Sequence, residues 1–204
     1  MFTYPNKDKK TNFTDFFNGY SDALIETTKN IDKSKLDLIF KSLKKKIVQN
    51  KKIFTVGNGG SASVANHFLC DFNKGIKLSS KNKLKPKVIS LSNSIELITA
   101  IGNDLKYEKI FSSQMENYMD KGDCLLAFSC SGSSKNILNV IKFAIKNKVD
   151  TIFITGFSKK KFDNCLHLDL GIKNYGISED IFSIIMHTTS QYIRYNSSKK
   201  NNIL

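Results

Sequence analysis

The stretch IFTVGNGGSASVANHF, residues 53–68, passes from a short apolar run through a glycine turn into small hydroxylated residues at helical spacing. It reads as a buried strand, a tight turn and a helix. The stretch LLAFSCSGSSKNILNVI, residues 125–141, repeats that plan. Working outward, the β-rich runs IFTVG, KVISL, CLLAFS, TIFITG and LHLDLGI alternate with helical segments at 61–73, 94–101, 107–119, 134–147 and about 178–195. Strand, helix, strand in repetition calls for parallel strands joined by crossover helices. The strands are almost wholly apolar, as they are when helices cover both faces of a sheet. The expected class is therefore α/β, with a doubly wound, mainly five-stranded parallel sheet.

Two helices are expected before the first strand. Phe13, Phe16, Phe17, Tyr20, Leu24 and Ile25 recur at helical spacing to about residue 28, and a second periodic segment covers 34–49. Asn30 and Asp32 supply turn and cap chemistry between them. A chain of 204 residues fits one domain. The expected division is N-terminal helices in 1–50, an α/β core in 51–195 and a polar tail in 196–204. Residues 74–87, rich in Ser, Asn and Lys, read as a long surface loop.

Composition narrows the function. The net charge is +14, but every basic residue except Arg194 is lysine, and the lysines fall in short scattered clusters with few interleaved aromatics. That pattern reads as a solvated surface rather than a nucleic-acid interface. No window offers the apolar length of a membrane span, and the first twelve residues carry charges where a signal peptide is apolar, so a cytoplasmic location is expected. Cys70, Cys124, Cys130 and Cys165 form no C-x-x-C pair and read as reduced thiols.

The two loops carry the chemistry. GNGGSAS at 57–63 lets backbone N–H groups approach a ligand, and the helix start that follows presents unpaired donors with a partial positive charge. SCSGSS at 129–134 lacks a Walker-type lysine, leaving hydroxyls and amides as donors. Ser129, Ser131 and Ser134 are placed to converge on one phosphate, and Ser133 or Ser134 also to cap the next helix. Either loop alone could be only a tight strand-to-helix turn. Neither matches G-x-G-x-x-G nor the pattern ending in G-K-[ST], so the pair points to a small phosphorylated metabolite rather than a nucleotide.

GNGGSASVANHF, ITAIGNDLKYEKIFSSQ at 98–114, GDCLLAFSCSGSSKNIL and the last helix with His187 together resemble the sugar isomerase (SIS) domain family, and within it the phosphoheptose isomerases. The resemblance runs over nearly the whole chain and implies a flavodoxin-like SIS fold. It implies conversion of sedoheptulose 7-phosphate to D-glycero-D-manno-heptose 7-phosphate, a precursor of lipopolysaccharide or capsule. By resemblance, Asn58, Gly59, Gly60, Ser61, Asn103, Asp104, Ser129, Cys130, Ser131, Ser134 and Glu179 fall at substrate-binding positions. His67, Asp71, Glu179 and His187 fall on the ligands of one zinc per subunit, with Asp71 as base and His187 as acid. The family is typically a homotetramer with pockets lined by neighbouring subunits, and the N-terminal helices resemble those of that bundle.

Two positions depart from the family. Asp71 stands where it has glutamate, and Glu179 where it has glutamine. His67 and Asp71, four apart on a helix, share a face and can hold one ion, or be a histidine beside a solvated acid. Glu179 and His187 are about 12 Å apart along an ideal helix, near the limit for sharing an ion. Glu179 could equally be a first-turn acid complementing the helix dipole, and His187, among apolar neighbours, a core histidine. His167 in LHLDL reads as structural. The alternative function is a non-catalytic SIS protein that binds a phosphosugar or regulates replication initiation.

Overall fold

The computed structural model describes residues 11–198, so the lysines at 199–200 and most of the expected polar tail lie outside the described residues. Helix α1 (Phe13–Asn30) starts at Asn12, whose side chain accepts from Asp15 N, and α2 (Lys33–Val48) starts at Asp32, whose carboxylate accepts from Ser34 N and Lys35 N. Each cap satisfies amides that the first helical turn leaves without partners.

The sheet comprises β1 (Lys52–Val56), β2 (Lys87–Ser90), β3 (Cys124–Ser129), β4 (Asp150–Thr155) and β5 (Cys165–Asp169). All four pairings are parallel, in the order β2-β1-β3-β4-β5. The pleat feeds two cores in alternation. Ile53, Cys124, Leu126, Phe128, Ile152 and Ile154 join the layer beneath α1, α2, α3 (Gly60–Cys70) and α8 (Tyr175–Ser198). Phe54, Val56, Leu125, Ala127 and Phe153 join the opposite layer. That layer is closed by α5 (Ile95–Asp104), α6 (Ser112–Tyr118) and α7 (Lys135–Lys146). The uninterrupted apolarity of the strands thus reflects burial on both faces.

After β1 the chain goes to α3 on one face; after β3, β1's hydrogen-bonded neighbour, it goes to α7 on the other. The two strands diverge there, and the crevice beyond their carboxyl ends is the topological switch point.

Three elements differ from expectation. The chain does not become a loop at residue 74: α3 runs into a π-helical turn, Asp71–Ile76, and a short helix α4, Lys77–Ser79. Phe72 and Ile76, four apart and fully buried, hold that turn on the core although its composition is polar. The helix expected over 107–119 is a 3₁₀ turn, Tyr107–Lys109, followed by α6. The last helix begins at Tyr175 and continues to Ser198, taking in the first residues of the expected tail. Among the described residues no helix is long and apolar enough to cross a membrane.

Candidate active site

A cleft of about 290 Å³ opens at the switch point, lined by Asn58, Gly59, Gly60, Ser61, Ser129, Cys130, Ser131, Ser134, Tyr175 and Glu179. Its first wall is the turn after β1. A Cβ on Gly57 would lie 2.4 Å from the backbone of Ser61, so only glycine lets the chain fold back onto the start of α3. Gly59 precedes α3 with φ +55°, in the region that favours glycine. Its small residues bring the start of α3 to the cleft, where the helix carries its partial positive charge.

The second wall is SCSGSS. Ser131 Oγ lies 2.8 Å from Ser133 Oγ, and Gly132 N donates to Ser129 Oγ at 3.2 Å. Ser134 occupies the position before α7 but makes no side-chain cap bond, contrary to expectation, and lines the cleft instead. The walls are tied together by Asn58 and Asn136, whose side-chain amides exchange two hydrogen bonds of 2.9 Å. Asn136 is buried on the first turn of α7 and was not legible as a site residue, since its partner lies 78 positions away. Tyr175 was missed as well; its carbonyl accepts from Cys130 Sγ at 3.7 Å.

Glu179 enters the cleft from α8. Its Oε1 accepts from Ser61 Oγ at 3.3 Å and from Cys130 Sγ at 3.6 Å. Burial pushes the Cys130 thiol up to about 12, and the Glu179 carboxylate adds to that, so Cys130 is a neutral donor rather than a nucleophile. A Cβ on Gly60 would lie 2.1 Å from Glu179 Oε2, so the carboxylate rests directly on the first turn of α3. An anion there is favoured by the helix dipole.

About two helical turns further along α3 and α8 lies a second group. His67 Nε2 is 3.6 Å from Asp71 Oδ1, His187 Nε2 is 3.9 Å from Asp71 Oδ2, and the imidazole centroids are 4.9 Å apart. One ligand atom from each of the three lies within 4.8 Å of the others. Val64, Phe68, Ser183 and Met186 complete the walls of a space of only about 10 Å³. It suits an ion and not a sugar. Zinc bonds of 2.0–2.2 Å in tetrahedral array place donors about 3.4 Å apart, and two imidazoles with a carboxylate are common zinc ligands, so the donor set fits. The structure brings His67, Asp71 and His187 together; Glu179 stands outside that group, in the cleft. Asn103 and Asp104, paired at 2.9 Å at the end of α5, are exposed and do not line the cleft. His167 stacks on Phe153 at 5.0 Å and contacts Thr155, away from both groups.

A doubly wound sheet with two serine- and glycine-rich loops at its switch point defines the sugar isomerase class, and residues 15–156 match the model of the SIS domain. The phosphoheptose isomerase of Buchnera aphidicola is 36% identical over 152 residues, 74% of each chain. That of Colwellia psychrerythraea is 37% identical over 113 residues, 54% of this chain and 55% of that enzyme. The solved phosphoheptose isomerase of Neisseria gonorrhoeae shares the fold with a TM-score of 0.78 at 24% identity, over 89% of this chain and 96% of that one. The chain belongs to the phosphoheptose isomerase family of sugar-phosphate isomerases.

Proposed function

We propose that the protein converts sedoheptulose 7-phosphate to D-glycero-D-manno-heptose 7-phosphate, as a cytoplasmic homotetramer with one zinc per subunit, supplying heptose for surface polysaccharide. The observation that carries this reading is the pairing of a hydroxyl-lined cleft with the His67, Asp71 and His187 group, which α3, its π-helical continuation and α8 carry away from that cleft. Hydroxyls and amides of SCSGSS hold the phosphate and fix the sugar's orientation. Ketose-to-aldose isomerisation needs a base to take the C1 proton and an acid to manage the carbonyl and hydroxyl protons through an enediol. Asp71 is the base and His187 the acid. A bound zinc would supply Lewis-acid polarisation of a carbonyl oxygen, held by His67, Asp71 and His187. Assembly is supported by apolar side chains that α1 leaves uncovered, including Phe13 at 81% exposure and Phe17 at 59%. Asn103 and Asp104 lie away from the cleft of their own chain, and in the proposed tetramer they would serve the cleft of a neighbouring subunit.

The test is purified protein assayed for zinc content and for conversion of sedoheptulose 7-phosphate. About one zinc per chain and turnover are expected, with His187→Ala lowering turnover by about 100-fold or more while the fold is kept. No conversion after zinc restoration would sink the reading. The position of Glu179, apart from the histidines, favours one other reading: a non-catalytic SIS protein that binds a phosphosugar or regulates replication initiation. Phosphosugar binding without turnover is its signature.

A further inference from the structure

The cleft's second loop is held from behind by the ends of β4 and β5. Thr155 and Asp169 are the last residues of those strands and face each other as the last pair of their ladder. Thr155, fully buried, donates its hydroxyl to Asp169 Oδ1 at 2.5 Å and lies 2.8 Å from His167 Nε2. A hydroxyl has one proton; since Thr155 gives it to Asp169, His167 donates from Nε2. Asp169 Oδ1 also accepts the Ser158 N–H at 2.7 Å, fixing the first residues after β4. Ser158 in turn backs Gly132: a Cβ there would meet Ser158 Oγ at 2.2 Å and Thr155 Cγ2 at 3.3 Å, and Gly132 has φ +60°. Two residues before Gly132, the Cys130 carbonyl accepts from Gly156 N at 3.0 Å and Phe157 N at 2.9 Å. The backbone is therefore pinned on both sides of Ser131, which lines the cleft. Thr155, Ser158 and Asp169 do not line it.

We propose that Thr155, Asp169 and Ser158 form a bracket that keeps SCSGSS in its phosphate-gripping shape, with Asp169 and Thr155 as positioning residues for ligand binding. The exposed Asp169 would otherwise read as a solvated acid at a strand end. Thr155→Val removes the hydroxyl at nearly constant volume, Asp169→Ala removes the acceptor, and Asp169→Asn keeps an acceptor oxygen in place.

The bracket rests on the reading that SCSGSS holds phosphate, and the two are tested separately. With inorganic phosphate as the probe in calorimetric titration, Asp169→Ala and Thr155→Val are expected to weaken binding about tenfold, and Asp169→Asn to restore most of it. Zinc content and far-ultraviolet circular dichroism stay as in the unaltered protein. With sedoheptulose 7-phosphate the same variants raise KM and leave kcat within about twofold. Equal phosphate affinities in folded variants, loss of kcat with KM unmoved, or no phosphate binding by the unaltered protein overturns the bracket. Failure of the unaltered protein to convert the sugar, with phosphate affinities ordered as expected, overturns only the isomerase reading. If Asp169→Ala does not fold, Thr155→Val and Asp169→Asn decide the matter.

Discussion

Gly57 and Gly60 are three residues apart in one motif, yet a methyl group on each meets very different neighbours. At Gly57 it strikes the backbone of Ser61, which cannot move without unwinding the start of α3. At Gly60 it strikes the end of the Glu179 side chain, which can swing away. Gly57→Ala is expected to cost about 2 kcal/mol in urea denaturation, and Gly60→Ala less than about 0.5 kcal/mol. Gly60→Ala should instead weaken binding of sedoheptulose 7-phosphate; equal stability losses in the two variants would refute the assignment. His167 gives a second test at this scale. Burial lowers its pKa from the ordinary value near 6.5, with Asp169 partly opposing. Above that value both folded and unfolded states are neutral and stability is full; as pH falls, the unfolded chain takes the proton first and stability drops. The urea midpoint should therefore fall between about pH 7 and about pH 5, and His167→Gln should remove part of that slope. Identical pH profiles would contradict it. At the candidate site, loop composition is a local signal and marks the residues that line the cleft, whereas the four-residue spacing of His67 and Asp71 allows a shared ion but fits a solvated acid equally, and the resemblance favours the ion. The Asn58–Asn136 exchange and the approach of His187 to Asp71 bring together residues far apart in sequence. No local pattern encodes such meetings, and the resemblance alone suggested the second.

Among the elements, α1 was read correctly as a helix from its apolar spacing, but spacing does not say what covers the stripe. Thr27 is its one buried residue, whereas Phe13, Phe17 and Ile25 are exposed. Tyr20 ties the helix to α8 through a 2.6 Å hydrogen bond to Asp180. If the proposed tetramer forms through α1, replacing Phe13 and Phe17 together by serine is expected to shift sedimentation toward smaller species with little change in circular dichroism; an unchanged assembly state would remove α1 from the proposed interface. The turn after Asp71 shows the opposite failure. The Lys, Ser and Asn content of residues 74–87 suggests a loop from Lys74 on, while two buried side chains, Phe72 and Ile76, carry the helix on to Ser79. Composition averages over a segment, and burial is decided by particular positions. π-turns are rare and gather at functional sites, and this one opens on Asp71 itself.

At the scale of the molecule, strand–helix alternation was enough to foresee a doubly wound sheet, because parallel strands leave few ways to connect. The strand order could not be read locally, since it depends on which strands meet across the sheet. That order sets the site: β1 and β3 are neighbours whose helices leave to opposite faces, so their loops share one crevice. From there, α3 and α8 both lead away to the histidines. Seven positions separate Gly60 from His67 and eight separate Glu179 from His187, about 10 to 12 Å of helix in each case. The pair of helices is thus a yardstick. On the proposed reading, a sugar anchored by its phosphate at the serine loop would reach the imidazoles only if its carbon backbone were long enough, and a shorter metabolite held by the same phosphate would stop out of range. Discrimination among phosphorylated sugars by this protein would then be partly a matter of length, set by how many turns two helices make before their histidines appear.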